Sequence, residues 1–169
     1  VPLFEEIGAK SYHILDITND QEFEDVFKKI GEEFGGQFDF IVHAIAGGPN
    51  KDDLKGKYMD TDRSSFLRSM EISVYSYVKA LQLAYPFMKE KGGAAVTLTY
   101  YGGEKVIPNY NVMGVAKAAL ESSVQYLAAD LGRDNIRVNA LSPGPILTRA
   151  ASGIGDFRGL MKNFKDKSP

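Results

Sequence analysis

Helical and strand-like patterns of apolar residues alternate along this chain. In one stretch, Phe23, Phe27 and Ile30 recur at spacings of four and three residues, which is the period of an amphipathic helix. The same reasoning predicts helices over residues 2–7, 20–34, 61–88 and 110–131. Short, nearly continuous apolar runs predict strands over residues 11–17, 38–46, 94–99 and 136–141.

A helix between each pair of successive strands is typical of an α/β protein with a parallel sheet. Right-handed crossovers then give a doubly wound, mostly parallel, Rossmann-like sheet. Ligands bind such sheets outside the carboxyl ends of the strands. We therefore expect the chemistry of this protein at Asp16 and at residues 44–48, 99–103 and 142–148.

Composition narrows the classes of function. The length of 169 residues predicts one domain, and a net charge of −2 argues against a partner that is nucleic acid or an anionic membrane surface. The chain has no apolar run long enough to cross a bilayer, and it contains no cysteine, so disulfides and thiolate chemistry are excluded. Its two histidines, His13 and His43, leave little for a metal site, and we expect both to be satisfied core residues.

Tyr110 and Lys117 form the strongest candidate pair. Their spacing of seven residues is two helical turns, so both side chains project from one face of the helix. A nearby ammonium would lower the pKa of the phenol and make it a usable proton donor. On spacing alone, a tyrosine at a helix start and a surface lysine remain the commoner explanation.

The residues around this pair resemble a known family. Residues 97–121 read TLTYYGGEKVIPNYNVMGVAKAALE, and residues 136–158 read IRVNALSPGPILTRAASGIGDFR. Together with LDIT at 15–18, VHAIA at 42–46 and ISVYSY at 72–77, they resemble the bacterial enoyl-[acyl-carrier-protein] reductases of the short-chain dehydrogenase/reductase superfamily. The resemblance covers essentially the whole chain.

The resemblance implies a reaction and a setting for it. Reduced nicotinamide (NADH, with NADPH not excluded) would deliver hydride to a trans-2-enoyl thioester carried on acyl-carrier protein, a step of fatty acid biosynthesis. The family resemblance also implies a cytoplasmic homotetramer. It further implies that residues 1–169 are a single nicotinamide-cofactor-binding catalytic domain, incomplete at both ends, that lacks the N-terminal glycine-rich strand–helix unit and the C-terminal helix and strand.

The resemblance also assigns roles to individual residues. It makes Tyr100, Tyr110 and Lys117 catalytic. The residues expected to bind cofactor are Asp16, Ile17, Ile45, Lys117, Ile146, Leu147, Thr148, Arg149 and Ala150. The residues expected to bind substrate are Gly48, Tyr100 and Met113.

Two alternatives stay open. One is another short-chain reductase, such as a 3-oxoacyl-[acyl-carrier-protein] reductase, although most of those enzymes place the lysine four residues after the tyrosine, where this chain has Gly114. The other is an inactive nucleotide-binding fragment. Without a first strand at the centre of the sheet, the strand predicted at 11–17 would not reach the one at 38–46, and two apolar strand edges would stay unpaired.

Overall fold

A parallel three-stranded sheet lies at the centre of the structure, a computed structural model that describes residues 2–144, 146, 159 and 161. Its strands are β1 (Phe40–His43), β2 (Gly93–Leu98) and β3 (Ile136–Leu141), which are neighbours in that order. Ile41 pairs with Ala95, and Ala95 pairs with Val138. Three of the four predicted strands are thus confirmed, β1 being shorter than its apolar run.

Five α-helices accompany this sheet in the described residues. They are α1 (Pro2–Glu6), α2 (Asp20–Glu33), α3 (Arg63–Met70), α4 (Ser76–Met88) and α5 (Asn111–Leu131). Short 3₁₀ turns lie at Tyr58–Asp60, Tyr101–Gly103 and Gly132–Asp134. Helix α2 begins where the Asn19 side chain accepts hydrogen bonds from the backbone N–H groups of Gln21 and Glu22, which is an N-cap.

The helix predicted over residues 61–88 is interrupted. A π-helical turn, Glu71–Tyr75, separates α3 from α4. Within it the Ile72 carbonyl accepts a hydrogen bond from the Ser76 hydroxyl, a side chain that competes for the helical backbone. The apolar pattern continues through the turn with little change, so periodicity alone could not reveal it.

The strand predicted over residues 11–17 is wrong. The segment alternates in burial as a strand would, but it has no strand partner among the described residues. The Glu33 carboxylate holds it through Ser11 and His13, and an apolar groove of about 460 Å³ separates Leu15 from the edge strand β1. A strand needs the backbone of a neighbour, so the apolar pattern was insufficient here.

One hydrophobic core lies between the sheet and helices α2, α4 and α5. The inward positions Ala95, Ile136 and Val138 join it from the strands. The helices and the π turn contribute Phe23, Phe27, Val74, Tyr77, Ala80, Leu81, Ala84, Met88, Ala116, Leu120 and Val124. All three helices therefore cover the same face of the described sheet.

The opposite face of this sheet is open to solvent. Phe40 and Val42 of β1 and Leu141 of β3 are 69%, 56% and 54% exposed. They alternate with the inward positions, as the period of two in a strand requires. Within the described residues, no helix is both long and apolar enough to span a membrane.

Candidate active site

Tyr110, Lys117 and Tyr100 lie around the end of β2 and the first turns of α5. Tyr110 is the residue that precedes α5, and Lys117 lies two turns along the helix. Both are buried, with 7% and 5% of their surface exposed. The ring of Tyr100, two residues beyond β2, lies edge-on to that of Tyr110 with 4.9 Å between centroids. The structure thus brings the rings of Tyr100 and Tyr110 into contact, and it places the Lys117 ammonium against the backbone of Leu98 at the end of β2.

Glycines determine how closely the Tyr110 ring is held. A Cβ atom at Gly102 would lie 2.4 Å from Cδ1 of Tyr110, so the loop after β2 can touch the ring only without a side chain. A Cβ atom at Gly114 would lie 2.7 Å from the Gly102 carbonyl oxygen. The two glycines let this loop and the first turn of α5 close around the tyrosine.

The electrostatics of Tyr110 differ from the prediction. Burial raises the pKa of Tyr110, and the neighbouring phenol of Tyr100 raises it further. The Lys117 ammonium was expected to lower this pKa, but it instead donates a hydrogen bond to the Leu98 carbonyl oxygen at 2.7 Å. Tyr110 is therefore a neutral hydrogen-bond donor throughout the physiological pH range.

Lys117 is a buried cation that keeps donor capacity. Burial lowers its pKa to about 8, an effect that the Glu121 carboxylate one helical turn away partly opposes. The ammonium is thus still mostly charged at neutral pH. An ammonium has three N–H donors, and within the described chain one of them is used, on Leu98. The remaining two suit a ligand that carries hydroxyl groups.

The loop after β1 carries the predicted substrate residue Gly48. Its φ of +115° is a conformation that favours glycine, and an added Cβ would lie 2.5 Å from the backbone of Ser69. Next to it, the Ser73 hydroxyl donates to the Gly47 carbonyl at 2.9 Å and accepts from the Gly47 N–H at 3.0 Å. Met113, also expected to bind substrate, is buried with its Sδ 4.0 Å from Ser73 Oγ.

The predicted cofactor residues are only partly brought together. Ile45 follows β1 and lines the apolar groove together with Leu15, while Ile17 packs against the core. Asp16 is exposed, and hydrogen bonds from the side chain and backbone of Thr18 hold its pKa below the ordinary value. Ile146 is 63% exposed. Leu147, Thr148, Arg149 and Ala150 lie outside the described residues.

The two histidines have different environments. His43 is buried as predicted, between the hydroxyls of Thr97 at 2.9 Å and Ser76 at 2.8 Å. The core position expected for His13 is wrong, because it lies half-buried on the unpaired 11–17 segment beside the Glu33 carboxylate at 3.2 Å. A core position would have required a neighbouring strand on that segment.

Sequence reasoning missed the polar residues that support the site. Four serines on one face of α3, the π turn and α4 are nearly inaccessible: Ser65, Ser69, Ser73 and Ser76. Their spacing of four, four and three residues places them on one helix face, and serine is uncommon on a buried helix face. This pattern could have identified them from the sequence. Asn111 was a second signal, since asparagine tolerates the left-handed conformation found there (φ +40°).

Comparison with known proteins places this geometry in a family. The chain is 51% identical over 168 residues to enoyl-[acyl-carrier-protein] reductase [NADH] FabI of Rickettsia felis, covering 99% of this chain and 64% of that protein. It is 55% identical over 161 residues to enoyl-[acyl-carrier-protein] reductase [NADH] 1 of Rhizobium meliloti, covering 95% of this chain and 58% of that protein. The chain therefore spans about three fifths of the length of these curated relatives.

Comparison with solved structures leads to the same family. The enoyl-(acyl-carrier-protein) reductase of Anaplasma phagocytophilum, solved in complex with NAD, superimposes with a TM-score of 0.90 at 46% identity, over 99% of this chain and 61% of that one. The enzyme of Aquifex aeolicus gives a TM-score of 0.92 at 42% identity, over 99% and 65%. The predicted fold class, a doubly wound Rossmann-like α/β sheet, is confirmed. Because the family model described as "Enoyl-(Acyl carrier protein) reductase" matches residues 1–169, the chain belongs to the enoyl-(acyl carrier protein) reductase family.

Proposed function

We propose that the protein reduces trans-2-enoyl thioesters on acyl-carrier protein with NADH, as a step of fatty acid biosynthesis in the cytoplasm. The observation that carries this proposal is the buried Tyr110–Lys117 pair with Tyr100 against it, at the carboxyl end of the parallel sheet. The curated relatives named above are NADH-dependent enoyl reductases, which supports the choice of reaction and of cofactor. NADPH remains a second candidate cofactor.

Tyr110 acts on the thioester oxygen of the substrate. When the β-carbon of the enoyl group accepts a hydride, negative charge develops on that oxygen. Because burial keeps the phenol protonated, Tyr110 can donate a hydrogen bond to this charge and then its proton. Tyr100, held edge-on to it, orients the Tyr110 ring and borders the substrate.

The residues present fit a nicotinamide cofactor. Within the described residues the buried Lys117 ammonium uses one of its three N–H donors, and the other two suit the ribose hydroxyls. A bound NADH would supply the hydride. Asp16 and Ile17 would contact the adenine, Ile45 the adenosine ribose, and residues 146–150 the nicotinamide and pyrophosphate, while Gly48 and Met113 would border the acyl chain.

We also propose a homotetramer that uses the outer face of α5. That face carries Val115, 36% exposed, and Tyr126, 74% exposed, with the small residues Ala118 and Ser122 between them. Small side chains allow two helices to approach closely, and exposed apolar residues are stabilised when a second subunit covers them. Sedimentation of the whole native protein tests this proposal.

Substitution of Tyr110 tests the proposed reaction. Tyr110→Phe should lower kcat by roughly two to four orders of magnitude, the usual contribution of a general acid. The NADH dissociation constant should change little, because the phenylalanine ring still packs against Tyr100. Lys117→Ala should instead weaken NADH binding. The measurements are NADH oxidation with crotonyl thioester and a fluorescence titration of NADH on the whole native protein.

Tyr12→Phe is the control, since it removes a hydroxyl from a half-exposed tyrosine outside the proposed site and interface. Near-wild-type turnover by Tyr110→Phe would show that another group donates the proton. Faster reduction of acetoacetyl thioester than of crotonyl thioester by the wild-type protein would favour a 3-oxoacyl reductase. A wild-type protein that binds NADH and reduces neither would favour an inactive nucleotide-binding protein.

A further inference from the structure

The backbone around Tyr110 is unusual. Asn109 and Asn111, on either side of it, have φ angles of +62° and +40°. Tyr110 itself has a φ of −111°, so the backbone leaves and re-enters the left-handed region within three residues. Few residues other than glycine adopt this region at low cost, and asparagine is one of them. The position of Tyr110 therefore depends on its two neighbours.

The Asn111 side chain reaches from α5 to the loop that follows β1. Its amide nitrogen donates to the carbonyl oxygen of Asp53 at 2.8 Å and to that of Gly56 at 2.9 Å. A primary amide has two N–H donors, so both are used. The Asn109 side chain makes no hydrogen bond with the described residues. The two asparagines thus share a backbone conformation but not a side-chain role.

The same loop is also held by hydrogen bonds to two buried serines, Ser73 and Ser65. Ser73 of the π turn makes the two hydrogen bonds to Gly47 described above. Ser65 of α3 donates to the Asp53 carboxylate at 2.6 Å. Among the hydrogen bonds of the described residues, those of Asn111 connect residues 47–56 to α5. Asn111 therefore joins two parts of the site, the loop that carries Gly48 and the helix that carries Tyr110.

We propose that Asn111 is a positioning residue for the reaction, which fixes the loop of residues 47–56 relative to Tyr110. The inference rests on the proposed function, because that function requires the substrate to contact both Gly48 and Tyr110. Asn111 binds the backbone carbonyls of Asp53 and Gly56, so these two hydrogen bonds do not depend on the side chains at positions 53 and 56. A substrate bound between them is then held at the distance from the Tyr110 hydroxyl that proton donation needs.

The test is Asn111→Gly in the whole native protein. Glycine adopts a φ of +40° without steric strain, so this variant removes the amide and is compatible with the same backbone conformation. Asn109→Gly is the matched control, since it makes the same change where no hydrogen bond is lost. The measurements are kcat and KM with crotonyl thioester, the NADH dissociation constant, and hydrogen exchange over residues 47–60.

We expect Asn111→Gly to lower kcat roughly tenfold to a hundredfold through misplacement of the reacting groups, with an NADH dissociation constant within about twofold of wild type. Exchange over residues 47–60 should become faster, and Asn109→Gly should change none of these quantities. Faster exchange with unchanged kcat would overturn the proposal, because Asn111 would then only stabilise the loop. An equal loss of kcat in Asn109→Gly would also overturn it, because the backbone would be responsible. A wild-type protein without enoyl reductase activity would overturn the proposed function, and this inference with it.

Discussion

At the scale of single residues, Gly102 sets the space available to the proposed proton donor. A Cβ atom there would lie 2.4 Å from Cδ1 and 2.8 Å from Cε1 of Tyr110, distances that nonbonded carbon atoms do not tolerate. The ring would have to move, and it is also in contact with Tyr100. A glycine in a 3₁₀ turn is thus part of the active-site geometry.

Gly102→Ala should therefore lower kcat roughly tenfold to a hundredfold, since a displacement of about 1 Å at a reacting group can have that effect. Thermal unfolding of the variant would show whether the fold survives. Gly132→Ala is the matched control, because its φ is −61° and an added Cβ would meet nothing within 4 Å. Equal kcat values for Gly102→Ala and wild type would contradict the close packing of this loop on Tyr110.

His43 is a residue-scale contributor to stability. The Ser76 hydroxyl donates to the Ile72 carbonyl, so it accepts from Nε2–H of His43, and Nδ1 lies 2.9 Å from the Thr97 hydroxyl. The neutral imidazole satisfies both contacts. Burial lowers the pKa of His43 to about 4 from an ordinary value of 6.5, and the Lys117 ammonium contributes to the lowering.

The free energy of unfolding should therefore fall as the pH decreases. The unfolded state takes up a proton at His43 below pH 6.5 and the folded state only near pH 4, so stability is lost in that window. We expect a slope of roughly 1 kcal/mol per pH unit, measured by urea unfolding. His43→Gln should flatten the profile between pH 6.5 and pH 4. An unchanged slope in His43→Gln would contradict this assignment.

At the scale of elements, an ion pair with a buried lysine connects α2 to α4. Lys79 of α4 is 8% exposed, and its ammonium donates to the Glu24 carboxylate of α2 at 2.9 Å, with Asp20 at 3.8 Å. The hydrogen bond to Glu24 is the main cause that raises the pKa of Lys79. The Lys79 ammonium stays charged although little of the side chain reaches solvent. The Glu24 and Asp20 carboxylates therefore offset the free-energy cost of burying this charge.

Glu24→Ala should lower the free energy of unfolding by about 1 kcal/mol, a modest value because the Glu24 side chain is half exposed and water can partly replace it. Asp25→Ala is the control on the same helix, since its carboxylate accepts from Gln21 within α2 and does not reach α4. Urea unfolding measures both. Equal effects of the two substitutions would show that Lys79 does not depend on Glu24.

At the scale of the whole molecule, the open face of the sheet is the main exposed apolar surface of the strands. Phe40 and Val42 alternate with the inward residues of β1, and Leu141 ends β3 on the same side. The edge of β1 next to the apolar groove has no strand partner in the part of the chain that is described. Exposed apolar faces and free strand edges both promote association.

Residues 1–169 produced on their own should therefore associate through this face. The double substitution Phe40→Lys and Val42→Lys should raise the monomer fraction in sedimentation velocity, because it places charge on the face. Val106→Lys is the control, since Val106 is 98% exposed but lies in a loop away from the strands. An equal effect of Val106→Lys would mean that net charge, and not the sheet face, controls association.

The sequence by itself determined α1, α2, α5, three of the four predicted strands and the candidate residues Tyr100, Tyr110 and Lys117. Periodicity is a local property, so the extents of α2 and α5 follow from spacing and caps alone. The spacing of Tyr110 and Lys117 likewise places both on one side of α5, and their surrounding string pointed to the family that the comparisons confirmed.

Tertiary structure decided the rest. Whether residues 11–17 form a strand depends on a neighbouring backbone, which no apolar pattern specifies, and the same absence left His13 outside the core. The ionisation of Tyr110 was also beyond the sequence, because spacing gives the nearness of Lys117 but not its hydrogen bond to Leu98 or the burial that raises the phenol pKa. Desolvation and hydrogen bonding are set by residues far away along the chain, and only the folded arrangement brings these to the site.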